Sequence, residues 1–272
     1  MTDEADAGGF ESLEYECRDG VATLWLNRPE VRNAFDERLV AAIAAGVRRA
    51  GADPEVRVVV LAGRGSVFCA GADLRWMQRM AGFSREQNHA DALALANMLR
   101  ALQTCPKPTI ARVHGDCYAG GLGLVAACDV AVAASGVHFC LTEVRIGLVP
   151  ATIGPYVLRA IGARAASRYM LTAERFDATE AARLGLVHTV VDAAELDAEV
   201  TRYAGALRAG GPAALAAAKQ LIDDLTAAAI DEHLVEDTAA RIAALRASPE
   251  GREGVQSVLG RRAPAWRGDR EA

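Results

Sequence analysis

The stretch PTIARVHGDCYAGGLGLVAACD, residues 108–129, joins a short apolar strand, a glycine-rich turn and a helix of small residues. Gly120 and Gly121 stand at the turn itself. Where a strand delivers glycines to a helix start, the first backbone N–H groups have no partner inside the helix and can donate to a ligand. The stretch therefore predicts a site that holds either a phosphate or a developing oxyanion.

The segments on both sides of this stretch alternate between strand and helix patterns. A helix is predicted after Asp36, and Ser84 with Gln87 has the pattern of a capping box that opens a long helix. Further strands are predicted at 13–17, 21–26, 57–63, 129–134, 138–140 and 188–191, and later helices at 155–161, 163–171, 177–184, 193–209, 212–228, 230–247 and 249–262. This order indicates an α/β core followed by a C-terminal helical layer.

Composition and charge exclude several classes of protein. The 272 residues carry a net charge of −5, which argues against the basic face of a nucleic-acid-binding protein. The first ten residues lack the pattern of a secretory signal, and no apolar run approaches the ~18 residues of a membrane span, so we expect a cytoplasmic protein. The six cysteines show no spacing typical of a metal site, so no metal is expected.

A phosphate site is the first interpretation of the glycines. Residues 121–126 match the dinucleotide pattern G-x-G-x-x-[GA], and Glu143 follows about twenty residues on. A dinucleotide fold needs a helix of several turns before its second strand, however, and here Asp129 opens the next strand after only a few residues. The spacing disfavours this interpretation.

An oxyanion site is the second interpretation, and it uses a second small-residue loop. Ala70-Gly71-Ala72-Asp73 follows the predicted strand at 57–63. If the two loops are neighbours, each offers one backbone N–H to the same oxygen, and one such donor can be worth ~3–4 kcal/mol of barrier. The alternative, that the glycines only allow close packing of strand and helix, fits either loop alone but fits the pair less well.

Glu143 is the best acid/base candidate, because it lies in an otherwise apolar stretch where burial would raise its pKa towards neutrality. The alternative is a carboxylate that pairs with Arg145 or caps a backbone N–H. No G-x-S-x-G pattern supplies a nucleophile, and Cys140 near His138 is better explained by packing. His114 is also more simply a structural residue.

Several ordered motifs between Leu13 and Trp266 resemble the enoyl-CoA hydratase/isomerase, or crotonase, family. They are LNRPEVRNAF (26–35), CAGADL (69–74), VHGDCYAGGLGL (113–124), FCLTEVRIGLVP (139–150), TAERFDATEAARLGLV (172–187) and SPEGREGVQSVLGRRAPAW (248–266). The resemblance implies a crotonase-like spiral of ββα units over residues 13–192, after a flexible segment 1–12, and a helical trimerisation region over 193–272. It also implies a homotrimer or homohexamer that acts on an acyl-CoA, with no cofactor besides the coenzyme A of the substrate.

The resemblance also implies roles for individual residues. The N–H groups of Ala72 and Gly120 would form the oxyanion hole for the thioester carbonyl, with Glu143 as the acid/base. The residues expected to contact coenzyme A are Ala70, Asp73 and Leu74 around the adenine and pantetheine, Arg28 and Arg32 at the phosphates, and Arg261 from a neighbouring subunit.

The chain departs from the family pattern at Gly123. The straight-chain hydratases of the family carry one glutamate at this position and a second at the position of Glu143. A single carboxylate suits double-bond isomerisation, whereas residues 139–157 resemble hydratases of branched substrates such as methylglutaconyl-CoA, an intermediate of branched-chain amino acid degradation. We therefore predict a 2-enoyl-CoA hydratase, with an isomerase that uses Glu143 alone and a non-catalytic acyl-CoA-binding homologue as alternatives.

Overall fold

A computed structural model describes residues 11–226 and 228–267, so most of the predicted flexible segment 1–12 lies outside the described residues. Within these ranges the chain forms two sheets and ten α-helices. The strands are β1 (Leu13–Arg18), β2 (Val21–Leu26), β3 (Val58–Gly63), β4 (Thr109–Val113), β5 (Cys117–Tyr118), β6 (Val130–Ala134), β7 (His138–Cys140), β8 (Phe176–Asp177) and β9 (Thr189–Val191).

The larger sheet is the centre of the fold. Its strand order is β1-β2-β3-β4-β6-β9, and all neighbours run parallel except β1 and β2. Every residue of β3 is buried, as expected for a strand of a parallel sheet covered on both faces. The β-branched run at Val58–Val60 therefore indicates that this segment is buried as well as that it forms a strand.

The described residues form ten α-helices, six of which begin at a side-chain cap. They are α1 (Glu37–Ala52), α2 (Leu74–Met80), α3 (Arg85–Gln103), α4 (Gly120–Ala127), α5 (Gly154–Thr172), α6 (Ala178–Leu184), α7 (Leu196–Ala209), α8 (Pro212–Leu225), α9 (Glu232–Ala247) and α10 (Pro249–Leu259). Asp36 accepts a hydrogen bond from the N–H of Leu39, and the predicted capping box of Ser84 and Gln87 is formed. Gly162, at φ 72°, divides α5 between the two helices that the sequence predicts there.

The smaller sheet, β5-β7-β8, was not predicted from the sequence because β5 and β8 are only two residues long. It explains the architecture, since β4 and β6 of the large sheet are each followed by a short strand of the small sheet and then by a helix. This ββα repeat confirms the predicted crotonase-like fold. Each repeat delivers a loop to the same end of the sheets.

The C-terminal helices pack less deeply than the core. Among the described residues, α8 and α9 bury no side chain fully, and α10 buries only Ser257. Lys219 of α8 is anchored to the core by an ion pair of 2.6 Å with Asp129. Val258 and Leu259 at the end of α10 are 77% and 79% exposed. The boundary between 192 and 193 stays a prediction.

The described residues contain no helix that is long and apolar enough to cross a membrane. Over the same ranges, no three His, Cys, Asp or Glu side chains are grouped so that they could hold a metal ion.

Candidate active site

The two glycine loops lie side by side. Cys69 pairs with Cys117 as a parallel bridge, and the N–H of Tyr118 donates to the carbonyl of Cys69 at 2.9 Å. The loops are still in contact two residues further along each of them, where a β-carbon on Gly71 would lie 2.9 Å from the β-carbon of Ala119. This adjacency is the condition under which the sequence predicts an oxyanion site.

The N–H groups of Ala72 and Gly120 are unused donors, one on each of these loops. Among the described residues, neither donates to a protein acceptor, whereas the groups around Ala72 are bonded. The carbonyl of Gly71 accepts from the N–H of Phe35 at 2.7 Å, and the N–H of Asp73 donates to the carbonyl of Phe35 at 2.8 Å. Gly120 is the first residue of α4, so its N–H has no acceptor within the helix.

Ala119 holds the backbone of the turn in a conformation that L-residues rarely adopt. It has φ 47° and ψ −120°, and its N–H donates to the carbonyl of Cys140 at 2.9 Å. A non-glycine residue in such a region stores roughly 1–3 kcal/mol of strain, which the surrounding structure must offset. The strained residue immediately precedes Gly120, so the strain lies at the predicted donor.

Glu143 follows β7 and begins a short 3-10 turn that ends at Ile146. Burial raises the pKa of its carboxyl, and its own backbone N–H opposes that effect only in part. Its Oε2 is buried and has no hydrogen-bond partner among the described residues. The alternatives were a pair with Arg145 or a cap on a backbone N–H. Among the described residues no ion pair joins Glu143 to Arg145, which donates to the carbonyl of Ala173 at 2.6 Å, whereas the carboxyl does accept from its own backbone N–H.

Cys140 and His138 do not form a nucleophile and base pair. The Sγ of Cys140 lies 3.1 Å from the carbonyl oxygen of Ala173, and Nδ1 of His138 lies 3.5 Å from Oδ1 of Asp116. His114 is also structural, since its Nε2 lies 3.0 Å from the Gly65 carbonyl and burial lowers its pKa.

Gly123 of α4 is covered by two apolar side chains. Ile153, at the start of α5, and Leu99 of α3 both lie within contact distance of the space where a side chain at position 123 would project. Both are almost fully buried. The position at which the resemblance implies a second carboxylate in other hydratases is therefore an apolar wall in this chain.

A cavity of about 750 Å³ opens beside Ala72. Six residues that the sequence predicts to bind substrate line it together: Arg28, Arg32, Ala70, Ala72, Asp73 and Leu74. Glu30 and Arg75 also line the cavity and were not predicted. Arg75 could have been anticipated from its place in the first turn after the helix cap Asp73.

The arginines of the cavity differ in what they contact. Arg28 donates to the Asp73 carboxylate at 2.9 Å and to the carbonyl of Ala34 at 2.6 Å, and it lies 3.1 Å from Asp36. Arg32 and Arg75 are exposed, and over the described ranges neither side chain forms an ion pair. They are therefore the cavity's available cations for a phosphate group.

Asp73 is the N-cap of α2 as well as a cavity residue. Burial opposes its ionisation, but the N–H groups of Arg75 and Trp76 and the Arg28 guanidinium together hold its pKa below the ordinary value. An ionised Asp73 therefore fixes both the start of α2 and the position of Arg28.

Arg261, Gly120 and Glu143 do not line this cavity. Arg261 follows the end of α10, where it is exposed with φ 50°. Its contact with coenzyme A across a subunit boundary stays a prediction.

Comparison with known proteins gives a consistent result. The family model described as "Enoyl-CoA hydratase/isomerase" matches residues 16–269. The chain is 40% identical to the solved structure of an enoyl-CoA hydratase from Shewanella pealeana, with a TM-score of 0.93 over 95% of this chain and 97% of that one. An enoyl-CoA hydratase structure from Mycobacterium smegmatis is 36% identical, with a TM-score of 0.88 over 94% and 98% of the two chains. An enoyl-CoA hydratase of Alternaria alternata is 34% identical over 80% of this chain and 70% of its own length.

Proposed function

The chain belongs to the enoyl-CoA hydratase/isomerase family, and from that premise we propose that it catalyses the reversible hydration of a 2-enoyl-CoA through an enolate bound by two backbone N–H groups. The observation that carries the proposal is the pair of unused donors, Ala72 and Gly120, on adjacent loops. Two N–H groups that donate to the thioester oxygen stabilise it more strongly in the enolate, where the oxygen is negatively charged, than in the bound substrate.

Substrate binding follows from the cavity beside Ala72. The adenine and pantetheine of coenzyme A lie along Ala70, Asp73 and Leu74, and Arg32 and Arg75 contact the phosphates. Arg28 is already bonded to Asp73, so its role is to hold the loop rather than to carry the phosphate charge.

The proton transfers are assigned to Glu143. As a carboxylate it removes a proton from water while the water oxygen bonds to C3, and the electron pair of the C2–C3 double bond moves into the enolate. The protonated Glu143 then returns that proton to C2, which completes the 3-hydroxyacyl-CoA. A carboxyl whose pKa is raised by burial is suited to both steps, because it is a stronger base and remains able to release the proton.

We assign a branched acyl group of the methylglutaconyl type to this site. The sequence resemblance over residues 139–157 supports it, and the apolar cover that Ile153 and Leu99 form at Gly123 is compatible with a site that works with one carboxylate. The exposed apolar residues of α10 support an interface between subunits, which we assign to a homotrimer or homohexamer.

A substrate screen tests the proposal. Purified wild-type protein is incubated with crotonyl-CoA and with methylglutaconyl-CoA, and products are identified by mass, since hydration adds one water. We expect a 3-hydroxyacyl-CoA from at least one of the two, with the higher turnover on the branched substrate. If neither substrate is hydrated, the proposal is contradicted.

Isomerisation is the second candidate, and the apolar wall at Gly123 is the observation that favours it. A single carboxylate can carry a proton between C2 and C4 of a bound enolate without any water. Conversion of a 3-enoyl-CoA to the conjugated isomer, with no hydroxyacyl product, would assign this reaction instead.

Glu143→Gln separates both reactions from simple acyl-CoA binding. In either enzyme the variant should lose about 10²–10⁴-fold in kcat and keep its affinity for coenzyme A thioesters. A binding protein would show no measurable change.

A further inference from the structure

Phe35 contacts both halves of the proposed oxyanion hole. It lies in the loop before α1, it is 1% exposed, and it forms a parallel bridge with Ala72. We propose that Phe35 is a positioning residue that sets the distance between the N–H groups of Ala72 and Gly120; the inference rests on the function proposed above.

The main chain of Phe35 fixes the first donor. Its N–H donates to the carbonyl of Gly71 at 2.7 Å, and its carbonyl accepts from the N–H of Asp73 at 2.8 Å. These bonds hold the residues before and after Ala72, so the N–H of Ala72 keeps its direction while its own acceptor site stays open.

The side chain of Phe35 reaches the second donor. A β-carbon on Gly120 would lie 2.6 Å from one ring carbon of Phe35 and 2.9 Å from the next, so the ring lies directly against the backbone of Gly120. Gly120 does not have a positive φ, so its backbone conformation does not require glycine. The requirement for glycine at this position comes from the closeness of the ring.

The loop that carries Phe35 is itself held rigidly. Asn33 is fully buried, and its side-chain amide donates to the carbonyls of Arg64 and Val67 at 2.8 and 2.9 Å. Arg28 joins the same loop to Asp73, beside the first donor. These bonds hold the loop in place, so the Phe35 ring cannot easily move away from Gly120.

The contact makes a specific prediction about turnover. Because oxyanion stabilisation depends on donors that already stand at the right distance, loosening one donor lowers kcat more than it weakens ground-state binding. Removing the ring in Phe35→Ala should lower kcat by about 10–100-fold, less than the loss of a whole donor, and change KM by less than about threefold.

The experiment is a double-mutant cycle. Phe35→Ala, Phe35→Leu, Gly120→Ala and Phe35→Ala/Gly120→Ala are compared with wild type in kcat and KM. They are also compared in the absorption shift of a bound enoyl-CoA whose acyl group carries a conjugated para-dimethylamino phenyl ring, which reports polarisation of the thioester carbonyl. We expect Gly120→Ala to lose activity and the red shift. The double variant should have a higher kcat and a larger red shift than Gly120→Ala, because the Phe35 ring that the new β-carbon at position 120 would meet is absent.

A control variant separates positioning from general loss of packing. Leu24→Ala removes another fully buried side chain, on β2, away from both loops. Leu24→Ala should lose about as much stability as Phe35→Ala, while its folded fraction keeps the red shift and kcat of wild type. Phe35→Leu serves if Phe35→Ala does not fold, and it should show a smaller loss of the same kind.

The outcomes decide between the inference and the function on which it rests. Independent effects of the two substitutions, or a red shift in Phe35→Ala equal to that of wild type, would overturn the positioning role. A wild type that leaves the probe unshifted would also overturn it, because no hole then polarises the carbonyl. A wild type that shifts the probe but hydrates no enoyl-CoA would refute hydration alone, and the loss of the shift in Phe35→Ala would still support the role of Phe35.

Discussion

A β-carbon at Gly123 would overlap Cγ2 of Ile153 and lie 2.8 Å from its Cβ, so Ile153 fills the space that a side chain at position 123 would need. No flexible side-chain end is available to yield, because Ile153 is branched and 2% exposed. The pair therefore leaves no room for a carboxylate at position 123.

Gly123→Ala is therefore expected to cost about 1–3 kcal/mol in the free energy of unfolding, as overpacking of a dense core does. Ile153→Ala alone should cost about 2–5 kcal/mol through the cavity that it leaves. The double variant should be less destabilised than the sum of the two, by more than about 1 kcal/mol, in denaturant unfolding. Additive losses would mean that the two residues are not in contact in solution.

The pH dependence of Glu143→Gln should separate stability from activity. Since burial raises the folded pKa of Glu143 above its ordinary value of 4.5, the folded state binds more protons between these two values. The unfolding free energy of wild type therefore falls as pH rises through this interval, and Glu143→Gln removes that fall. We expect the variant to be the more stable protein at pH 8, with the difference lost near pH 4, as measured by chemical denaturation.

The acid limb of turnover should report the same group. Hydration needs ionised Glu143, so kcat/KM, which reports the free enzyme, should fall as pH decreases through the raised pKa, above the range of an ordinary glutamate. A pH profile of kcat/KM with its acid limb near pH 4 would show that the carboxyl is solvated in the free enzyme.

Arg28 and Arg32 are expected to give opposite phenotypes. Arg32→Ala should weaken acyl-CoA binding several-fold, with a smaller loss at high salt, and leave the unfolding free energy unchanged, because its side chain is exposed. Arg28→Ala should instead destabilise the fold by about 2–4 kcal/mol, since it leaves the mostly buried Asp73 carboxylate without its partner. Isothermal titration with a coenzyme A thioester and thermal unfolding measure the two effects. Equal loss of binding in both variants would assign phosphate contact to Arg28 as well.

Relief of backbone strain should be measurable at Ala119. Ala119→Gly removes the cost of an L-residue at φ 47° and is expected to raise stability by up to about 1 kcal/mol after the entropic cost of glycine. Ala173→Gly, at the left-handed end of α5, is the matched comparison for stability. We expect only Ala119→Gly to lower kcat, because it loosens the residue before Gly120. A lower unfolding free energy in Ala119→Gly than in wild type would show that the backbone of Ala119 is not strained.

The exposed end of α10 tests the oligomer. Val258→Asp/Leu259→Asp places two charges on a surface that the proposed trimer covers. Light scattering should show a smaller species than wild type, while a monomeric wild type would refute the proposed assembly.

Strand periodicity, the caps at Asp36 and Ser84 and the two glycine loops were enough to predict an α/β core with a C-terminal helical layer. The crotonase-like spiral was implied by the resemblance of the ordered motifs to a known family. The sequence analysis did not predict α2, because Leu74–Met80 is only seven residues long and directly follows a small-residue loop, which is too short a stretch for a helical period to be recognised. It also could not show the two-residue strands, whose existence depends on pairing with distant segments.

Candidate residues were predictable where chemistry depends on residue type. Glu143 stood out as a carboxylate among apolar residues, and small residues marked the two loops. Ile153 and Phe35 carried no such signal, since an isoleucine and a phenylalanine are ordinary core residues until their contacts with Gly123 and Gly120 are known. Arg28 illustrates the same limit, because its ion pair with Asp73 joins residues that are 45 positions apart in the sequence.

Both proposed oxyanion donors are main-chain groups, and this has a consequence for how the site can change. No side-chain replacement at position 72 or 120 deletes an N–H, except proline, which lacks one. A random mutation can therefore weaken the oxyanion hole only by moving its N–H groups. Glu143, Ile153 and Leu99, in contrast, can each lose their side chain by direct substitution. A laboratory lineage that starts from this chain should alter its reaction at the carboxylate side first and inherit carbonyl activation unchanged.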